Sequence, residues 1–339
     1  MPETILSGIR ATGRLHFGNF LGAVQNFVAY QKAGHTCLYF VADYHTLTTL
    51  PDPALLRANL IEIVKDYIAA GLDPNDSILY AQSSVPEITE LSYLLSCFQS
   101  IGALQNVPTF KDLVRKQPDN VTLALLTYPV LMAADILGPR ATLVPVGEDQ
   151  VPNLELAREL ARKFNRLIGD EFFPVPEPMS DMVKVPGLDG FKMGKSEKMA
   201  GTDQSNAIDI NDPIEVIRER YMRHAITDPD RVRRDMPGDP YNGCRSVYPL
   251  HEMVTPGETD TRTIADQCRK AEIGCVDCKN LLVDRIGEVL VPFQDRRAEL
   301  ANDDDYIRDI LGAGAAKARE LILPTIEEVR SRMGLVRFG

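Results

Sequence analysis

The side chains best suited to chemistry in this chain are those that could handle a polyphosphate. Residues 187–199, Gly-Leu-Asp-Gly-Phe-Lys-Met-Gly-Lys-Ser-Glu-Lys-Met, set Lys192, Lys195 and Ser196 among Gly187, Gly190 and Gly194. A Pro-rich run precedes them (Pro174, Pro176, Pro178, Pro186) and a polar run follows, so the segment reads as an exposed, mobile loop. Two ammonium groups and a hydroxyl on a loop that can close suit a departing polyphosphate. Most lysine-rich glycine loops are merely solvated, so this one gains weight only from a matching phosphate site. Residues 5–13 supply it, reading as a short buried strand that breaks into a Gly-punctuated turn. Leu15-His16-Phe17-Gly18-Asn19 follows, and then an amphipathic helix with Leu21, Val24, Phe27, Val28 and Gln31 in its stripe. Strand, turn and helix N-terminus make an anion site of free backbone N–H groups. His16 and Asn19 add side-chain donors, and Gly18, lacking a Cβ, lets a flat base approach the backbone. Taken alone, His16 is better read as a helix-entry histidine.

A second group of residues suits a ring and a sugar. Residues 36–42 are nearly all apolar, as a strand covered on both faces must be, and end in Asp43-Tyr44-His45. Residues 121–137 form an apolar helix in which Tyr128, Met132 and Asp135 share one face. An acid there is costly unless something donates to it. A flat apolar ligand with one polar hydrogen would satisfy it; so would a neighbouring turn or a buried arginine. The strand 142–146 runs into Gly147-Glu148-Asp149-Gln150. A carboxylate beside an amide at a strand's carboxyl end suits a ribose diol, although the same pair could simply cap the next helix, Asn153 to Leu167.

The elements that must position these groups alternate. Pro53 starts a helix through Ala70, 77–81 is a strand, and 86–101 is another helix begun by Pro86 and Glu87. This β-α-β-α order predicts an α/β fold with a doubly wound parallel sheet of Rossmann type. Beyond the lysine loop, 212–226, 259–272, 278–290 and 304–333 show helical periodicity with no strand-like runs, and Pro324 is expected to kink the last of them. The expected organisation is a catalytic domain at 1–206, an all-helical domain at 207–312, and a C-terminal helix at 313–339 that could pack back on the first domain.

The 339 residues suffice for two cores. Hydrophobic content of 44% and charged content of 25% are ordinary for a globular protein, and no apolar run spans a bilayer. The N-terminus lacks the layout of a signal peptide, so the expected location is cytoplasmic, with no membrane partner. A net charge of −11 argues against non-specific nucleic-acid binding. A local basic face could still form from Arg218, Arg220, Arg223, His224, Arg231, Arg233 and Arg234. Ion pairs with Glu215, Glu219 and Asp230 would consume it equally well. Cys37 and Cys97 read as core residues. Cys244, Cys268, Cys275 and Cys278 follow C-x23-C-x6-C-x2-C, and four thiols in a reducing compartment suggest a metal site. Sulfur ligands at this spacing fit either Zn²⁺ or an iron–sulfur cluster.

Together these pieces resemble a known set. His16-Phe17-Gly18-Asn19 resembles the first (HIGH-like) signature of class I aminoacyl-tRNA synthetases, and Lys192-Met193-Gly194-Lys195-Ser196 the second (KMSKS). Within that class, 126–135 (Leu-Thr-Tyr-Pro-Val-Leu-Met-Ala-Ala-Asp) and 144–150 (Val-Pro-Val-Gly-Glu-Asp-Gln) resemble tryptophanyl-tRNA synthetases over nearly the whole chain. The resemblance implies condensation of tryptophan with ATP and Mg²⁺, transfer to tRNA(Trp), a helical anticodon-binding domain and a homodimer. It implies that His16, Asn19, Lys192, Lys195 and Ser196 serve the phosphates, with Lys111 as a helper. Arg10, Gly18, Gly147, Asp149, Gln150 and Met193 would hold the rest of ATP. Tyr128, Met132, Asp135, Val144, Val146 and His45 would form the tryptophan pocket, Asp135 accepting the indole N–H. Residues 273–279 (Ile-Gly-Cys-Val-Asp-Cys-Lys) resemble a subgroup with a four-cysteine iron–sulfur cluster in the anticodon-binding domain, which implies a 4Fe-4S cluster here. Two positions depart from the pattern: Gly194 replaces a serine, for which looser loop closure is expected, and Arg10 stands where many relatives carry glutamine. Tyrosyl-tRNA synthetase, a non-aminoacylating tRNA-binding paralogue and a small-molecule nucleotidylyltransferase are the competing readings.

Overall fold

The computed structural model describes residues 2–49, 52–179, 183–195 and 197–336. Five strands, β1 (Thr4–Ile9), β2 (Thr36–Val41), β3 (Ser77–Ala81), β4 (Leu143–Pro145) and β5 (Glu177–Met179), form one sheet in the order β3-β2-β1-β4-β5. Every pairing is parallel. The main helices are α1 (Gln25–Lys32), α2 (Pro53–Ala69), α3 (Glu87–Ser96), α4 (Pro108–Lys116), α5 (Leu123–Leu137) and α6 (Val151–Ile168). They continue with α7 (Ile214–His224), α8 (Val247–Val254), α9 (Glu258–Arg269), α10 (Cys275–Glu299) and α11 (Asp304–Arg332). Contacts divide the chain into two compact units: 1–13, 27–182 and 302–339 form the first, 14–26 and 183–301 the second.

In the first unit the sheet is the Rossmann-like arrangement that the alternating pattern predicts. Central β2 is buried from Cys37 to Val41, which is why its sequence runs apolar without alternation. Order reverses between β1 and β4, and ligands of open α/β sheets lie outside the carboxyl ends of strands at such a switch. That rule singles out Arg10, just after β1, and 146–150, just after β4. Caps fix the ends of several helices of this unit. Asp52 accepts the N–H groups of Ala54 and Leu55 at 2.9 and 3.0 Å ahead of α2. Thr122 accepts that of Leu125 at 3.3 Å ahead of α5, and Gly169, at φ 69°, ends α6. The core gathers α3, α5, α6 and α11 on one face of the sheet, with Leu91, Leu95, Val130, Ile136, Leu160, Phe164 and Ile322 buried in it.

Three elements escape sequence reading. β5 lies inside the Pro-rich run that resembles a loop, and Pro178 is tolerated because β5 is an edge strand. Helix α4 buries no residue completely, so it lacks a core stripe of conventional width, and α8 is only eight residues long. Pro324 lies inside α11, whose helical assignment runs unbroken past it.

The second unit carries α7 to α10 and, among the described residues, no named strand. Its extended segments meet only in isolated bridges, His16 with Asp209, Pro186 with Lys192, and Lys198 with Ser205.

Candidate active site

The first unit holds a buried polar cluster on the carboxyl side of its sheet. Asp135, on α5, is 2% exposed, and burial pushes its carboxyl pKa up while donors from His45 and Gln82 pull it back. His45 Nε2 lies 2.9 Å from Asp135 Oδ2, and the Gln82 amide donates to both carboxylate oxygens at 2.9 Å. Neither a turn nor a buried arginine satisfies Asp135; a histidine and an amide do. The His45 ring meets Tyr128 edge-on at 4.5 Å. The Tyr128 hydroxyl, its pKa pushed up to about 12 by burial, donates to Gln150 Oε1 at 3.2 Å. Arg10 points Nη2 at Thr48 and Thr49, 3.4 Å from each hydroxyl. Its buried Nε has no partner, and burial lowers its pKa. Met132 and Val146 are half-buried against the core and Val144 is buried.

Gln150, the N-cap residue of α6, does not cap it with its side chain. Gln150 Nε2 donates to Asp149 Oδ2 at 2.9 Å, so the carboxylate and amide stand as a joined pair. A Cβ on Gly147 would meet Asp149 Oδ1 at 2.9 Å, so a side chain there would displace the Asp149 carboxylate. Lys111, on α4, donates to Asn106 Oδ1 at 3.2 Å.

The second unit brings both signature segments together. Gly18 N–H donates to Met193 Sδ at 3.1 Å, across 175 positions of sequence. His16 caps the short helix Phe17–Asn19: its Nδ1 accepts the Asn19 N–H at 3.3 Å, while Asn19 Oδ1 accepts the His16 N–H at 3.3 Å. That reciprocal bonding leaves His16 Nε2 as the donor of a neutral ring. Burial, reinforced by Lys195 and Lys192 and opposed by Asp209, lowers its pKa to about 4. Lys195 Nζ donates to the Arg14 carbonyl and lies 3.6 Å from Asp209. Ser196 lies outside the described residues.

The lysine loop is fastened by a residue that sequence reading missed. Asn206, 0% exposed, accepts the Gly194 N–H at 3.0 Å and donates to the Lys192 carbonyl at 3.1 Å and to Asp189 at 2.8 Å. A Cβ on Gly187 would fall 2.5 Å from the Asn206 amide nitrogen, so Gly187 is needed for packing rather than flexibility. No sequence pattern marks Asn206; Gln82 had a weak one, lying just past a predicted strand's carboxyl end.

The basic stretch is largely committed to ion pairs and carbonyls. Arg218 reaches Asp284 at 2.7 Å, Arg223 Glu219 at 2.7 Å, Arg233 Asp235 at 3.3 Å and Arg234 Asp277 at 3.1 Å. Arg220 donates to the Ala207 and Ser205 carbonyls at 2.7 and 2.6 Å. Cys244, Cys268, Cys275 and Cys278 line one small cavity with Arg231, Tyr248 and Ile264. Among the described residues, no three His, Cys, Asp or Glu side chains converge closely enough to hold a single metal ion.

Residues 2–291 match the model of class I tRNA synthetases for tryptophan and tyrosine. The chain belongs to that family. It is 42% identical to a tryptophan–tRNA ligase of Thermotoga maritima, over 98% of this chain and 99% of that protein. It is 41% identical to one of Deinococcus radiodurans with the same coverage. A tryptophanyl-tRNA synthetase from Campylobacter jejuni, solved with ADP and tryptophan, is similar at a TM-score of 0.83 and 30% identity, covering 98% of this chain and 100% of that one. The synthetase family thus accounts for both signature segments and for an α/β unit with a five-stranded parallel sheet.

Proposed function

We propose that this synthetase is a tryptophan–tRNA ligase. It condenses tryptophan with ATP to tryptophanyl-adenylate, releasing pyrophosphate, and then transfers the acyl group to tRNA(Trp), releasing AMP. The observation that carries this reading is Asp135, a buried carboxylate supplied with donors on an apolar helix face. It retains lone pairs for one more N–H, such as that of an indole. Tyr128, Met132, Val144 and Val146 surround the ring, and His45 steadies Asp135. Asp149, Gln150, Gly147, Arg10, His16, Asn19, Gly18 and Met193 would serve ATP, with Lys192, Lys195 and Ser196 on the departing pyrophosphate and Lys111 assisting.

The tryptophan carboxylate attacks the α-phosphorus in line as the bond to the bridging β-phosphate oxygen breaks. Catalysis is therefore positioning and charge stabilisation, and the carboxylate, already ionised, needs no general base. Neutral His16 donates from Nε2 to phosphate oxygen. Lys195 exchanges the Arg14 carbonyl and Asp209 for pyrophosphate, and Met193 Sδ leaves the Gly18 N–H before nucleotide can use it. Mg²⁺ travels mainly on the phosphates.

In the same reading, 1–206 forms the catalytic domain, 207–312 the helical anticodon-binding domain, and 313–339 a C-terminal segment that takes in most of α11, which itself begins at Asp304. Arg223, Arg233 and Arg234, exposed although ion-paired, would be open to exchange those partners for RNA phosphates. A cytoplasmic homodimer is proposed; exposed Tyr93, Ile101, Val121 and Leu123, concentrated in one stretch of the first unit, support self-association.

Cys244, Cys268, Cys275 and Cys278 would hold an iron–sulfur cluster, of the subgroup the sequence resembles. Two observations fit that group. The four thiols line one cavity. Buried Arg231 donates to Cys268 Sγ at 3.5 Å and its Nε finds no partner, so a positive charge already faces where an anionic group would sit. The cluster would supply a covalent tie between α9, α10 and the segment before α8. Iron and sulfide analysis with visible absorbance after anaerobic purification tests it; zinc alone would overturn it.

The main test is amino-acid-dependent ATP–pyrophosphate exchange with tryptophan and tyrosine side by side. Exchange with tryptophan is expected. Exchange with tyrosine instead would overturn the pocket, and exchange with neither in protein that binds tRNA would leave a non-aminoacylating paralogue.

A further inference from the structure

Asp135 cannot read an indole N–H by its own chemistry. A carboxyl group 2% exposed tends to take up a proton, and once protonated it presents a donor where the substrate also presents one. Among the described residues no arginine or lysine pairs with it; a neutral amide takes that place. Gln82 is 1% exposed and sits on the short 3-10 turn Gln82–Ser84 that follows β3. Its Nε2 bonds Asp135 Oδ1 and Oδ2 at 2.9 Å each, and its Oε1 accepts the His45 backbone N–H at 3.3 Å. Those partners fix the amide's orientation, because a flip would set its oxygen against a carboxylate. Asp135 Oδ2 in turn faces His45 Nε2 at 2.9 Å, which favours the tautomer with hydrogen on Nε2. His45 Nδ1, buried and without a partner, is then a lone pair.

We propose that Gln82 is the positioning residue that makes this pocket an acceptor-only site for the indole N–H, by clamping both oxygens of Asp135 and through them the His45 tautomer. The inference rests on the tryptophan-ligase reading and adds to it the residue on which selectivity for the ring nitrogen depends. The clamp uses a neutral donor where a cation would do. A cation would neutralise the carboxylate and weaken its pull on a neutral N–H, whereas the amide leaves the charge in place. Of the four or so lone-pair sites on Asp135, the clamp and His45 occupy three and leave one for the substrate.

The test compares tryptophan with β-(benzo[b]thiophen-3-yl)alanine, in which sulfur replaces the indole N–H, in pyrophosphate exchange by wild type and Gln82→Met. Wild type should prefer tryptophan strongly, because a site built to bond an N–H rejects the analogue lacking it. Gln82→Met should lower kcat/KM for tryptophan by about 10²-fold, mostly through KM, and that for the analogue by no more than about 3-fold, collapsing the preference. An equal loss with both substrates would overturn the inference, since a merely structural residue lowers both together. Should Gln82→Met fail to fold, Gln82→Asn, which keeps the amide but withdraws it by one methylene, is read by the same ratio. Wild-type protein inactive with tryptophan would instead sink the ligase reading itself.

Discussion

At the scale of single residues, the chemistry is set by how burial prices charge. Asp135 stays useful only while donors hold it, so Asp135→Ala should lower kcat/KM for tryptophan in pyrophosphate exchange by about 10²-fold or more. ATP affinity should change little, since none of its recorded partners serves phosphate. His16 illustrates the opposite sign. Burial and the two loop lysines place its folded pKa near 4, below the ordinary value of about 6.5. As pH falls, the unfolded chain takes this proton first, so His16 costs stability progressively from about pH 6.5 down to about 4 and adds no pH dependence above that window. A histidine NMR titration of the ligand-free protein should give a midpoint near 4 for His16. A midpoint near 6.5 would contradict the neutral donor role. His16, Asn19, Asp135, Lys192 and Lys195 stand out as candidates in the sequence because few residue types could do the chemistry proposed for them. Gln82 and Asn206 stand out far less, since glutamine and asparagine serve ordinary structural roles everywhere.

At the scale of elements, the lysine loop is a braced segment. Its glycines suggested mobility, yet Asn206 and Ser205 bond its backbone: the Ser205 hydroxyl donates to the Gly194 carbonyl at 3.0 Å while Asn206 takes the Gly194 N–H. Gly194 therefore gives a backbone group to the brace, and the looser closure expected from the missing serine is opposed by that bond. In the proposed mechanism Lys195 must let go of Asp209 and reach the pyrophosphate. Lys195→Ala should lower kcat for exchange by about 10²- to 10³-fold, in the range typical for losing one transition-state donor. Tryptophan binding should be unchanged. It can be followed by the emission of the bound amino acid, because the chain contains no tryptophan of its own. A comparable weakening of tryptophan binding would place Lys195 in a different role.

At the scale of the whole molecule, the chain's end returns to the unit in which it began. Helix α11 lies against β3, and a Cβ on Gly314 would fall 1.8 Å from the Leu79 carbonyl oxygen. Lys65, 2% exposed, pairs with Asp304 at 2.6 Å at the start of that helix. Arg319 and Arg330 pair with Glu87 and Glu90 along α3. Gly314→Val should thus cost at least the roughly 1–3 kcal/mol typical of overpacking, seen as a lower midpoint in thermal unfolding. An unchanged midpoint would mean that α11 can stand off the sheet. The Lys65 pair contributes less clearly, because burying an ammonium offsets much of its attraction.

By itself the sequence determined the parallel α/β order, the helices with a strong apolar stripe and the two segments that resemble the family signatures. Each of these follows from local periodicity or from a residue type that few alternatives can replace. The tertiary structure alone decided which polar groups meet. Short β5 and weakly buried α4 have too little pattern to be read, their form being set by neighbours distant in sequence. The partners of Asp135 come from positions 45 and 82, and the Met193 contact with Gly18 joins segments far apart in the chain. Hydrogen bonds of that kind depend on distances between elements, which sequence spacing does not encode.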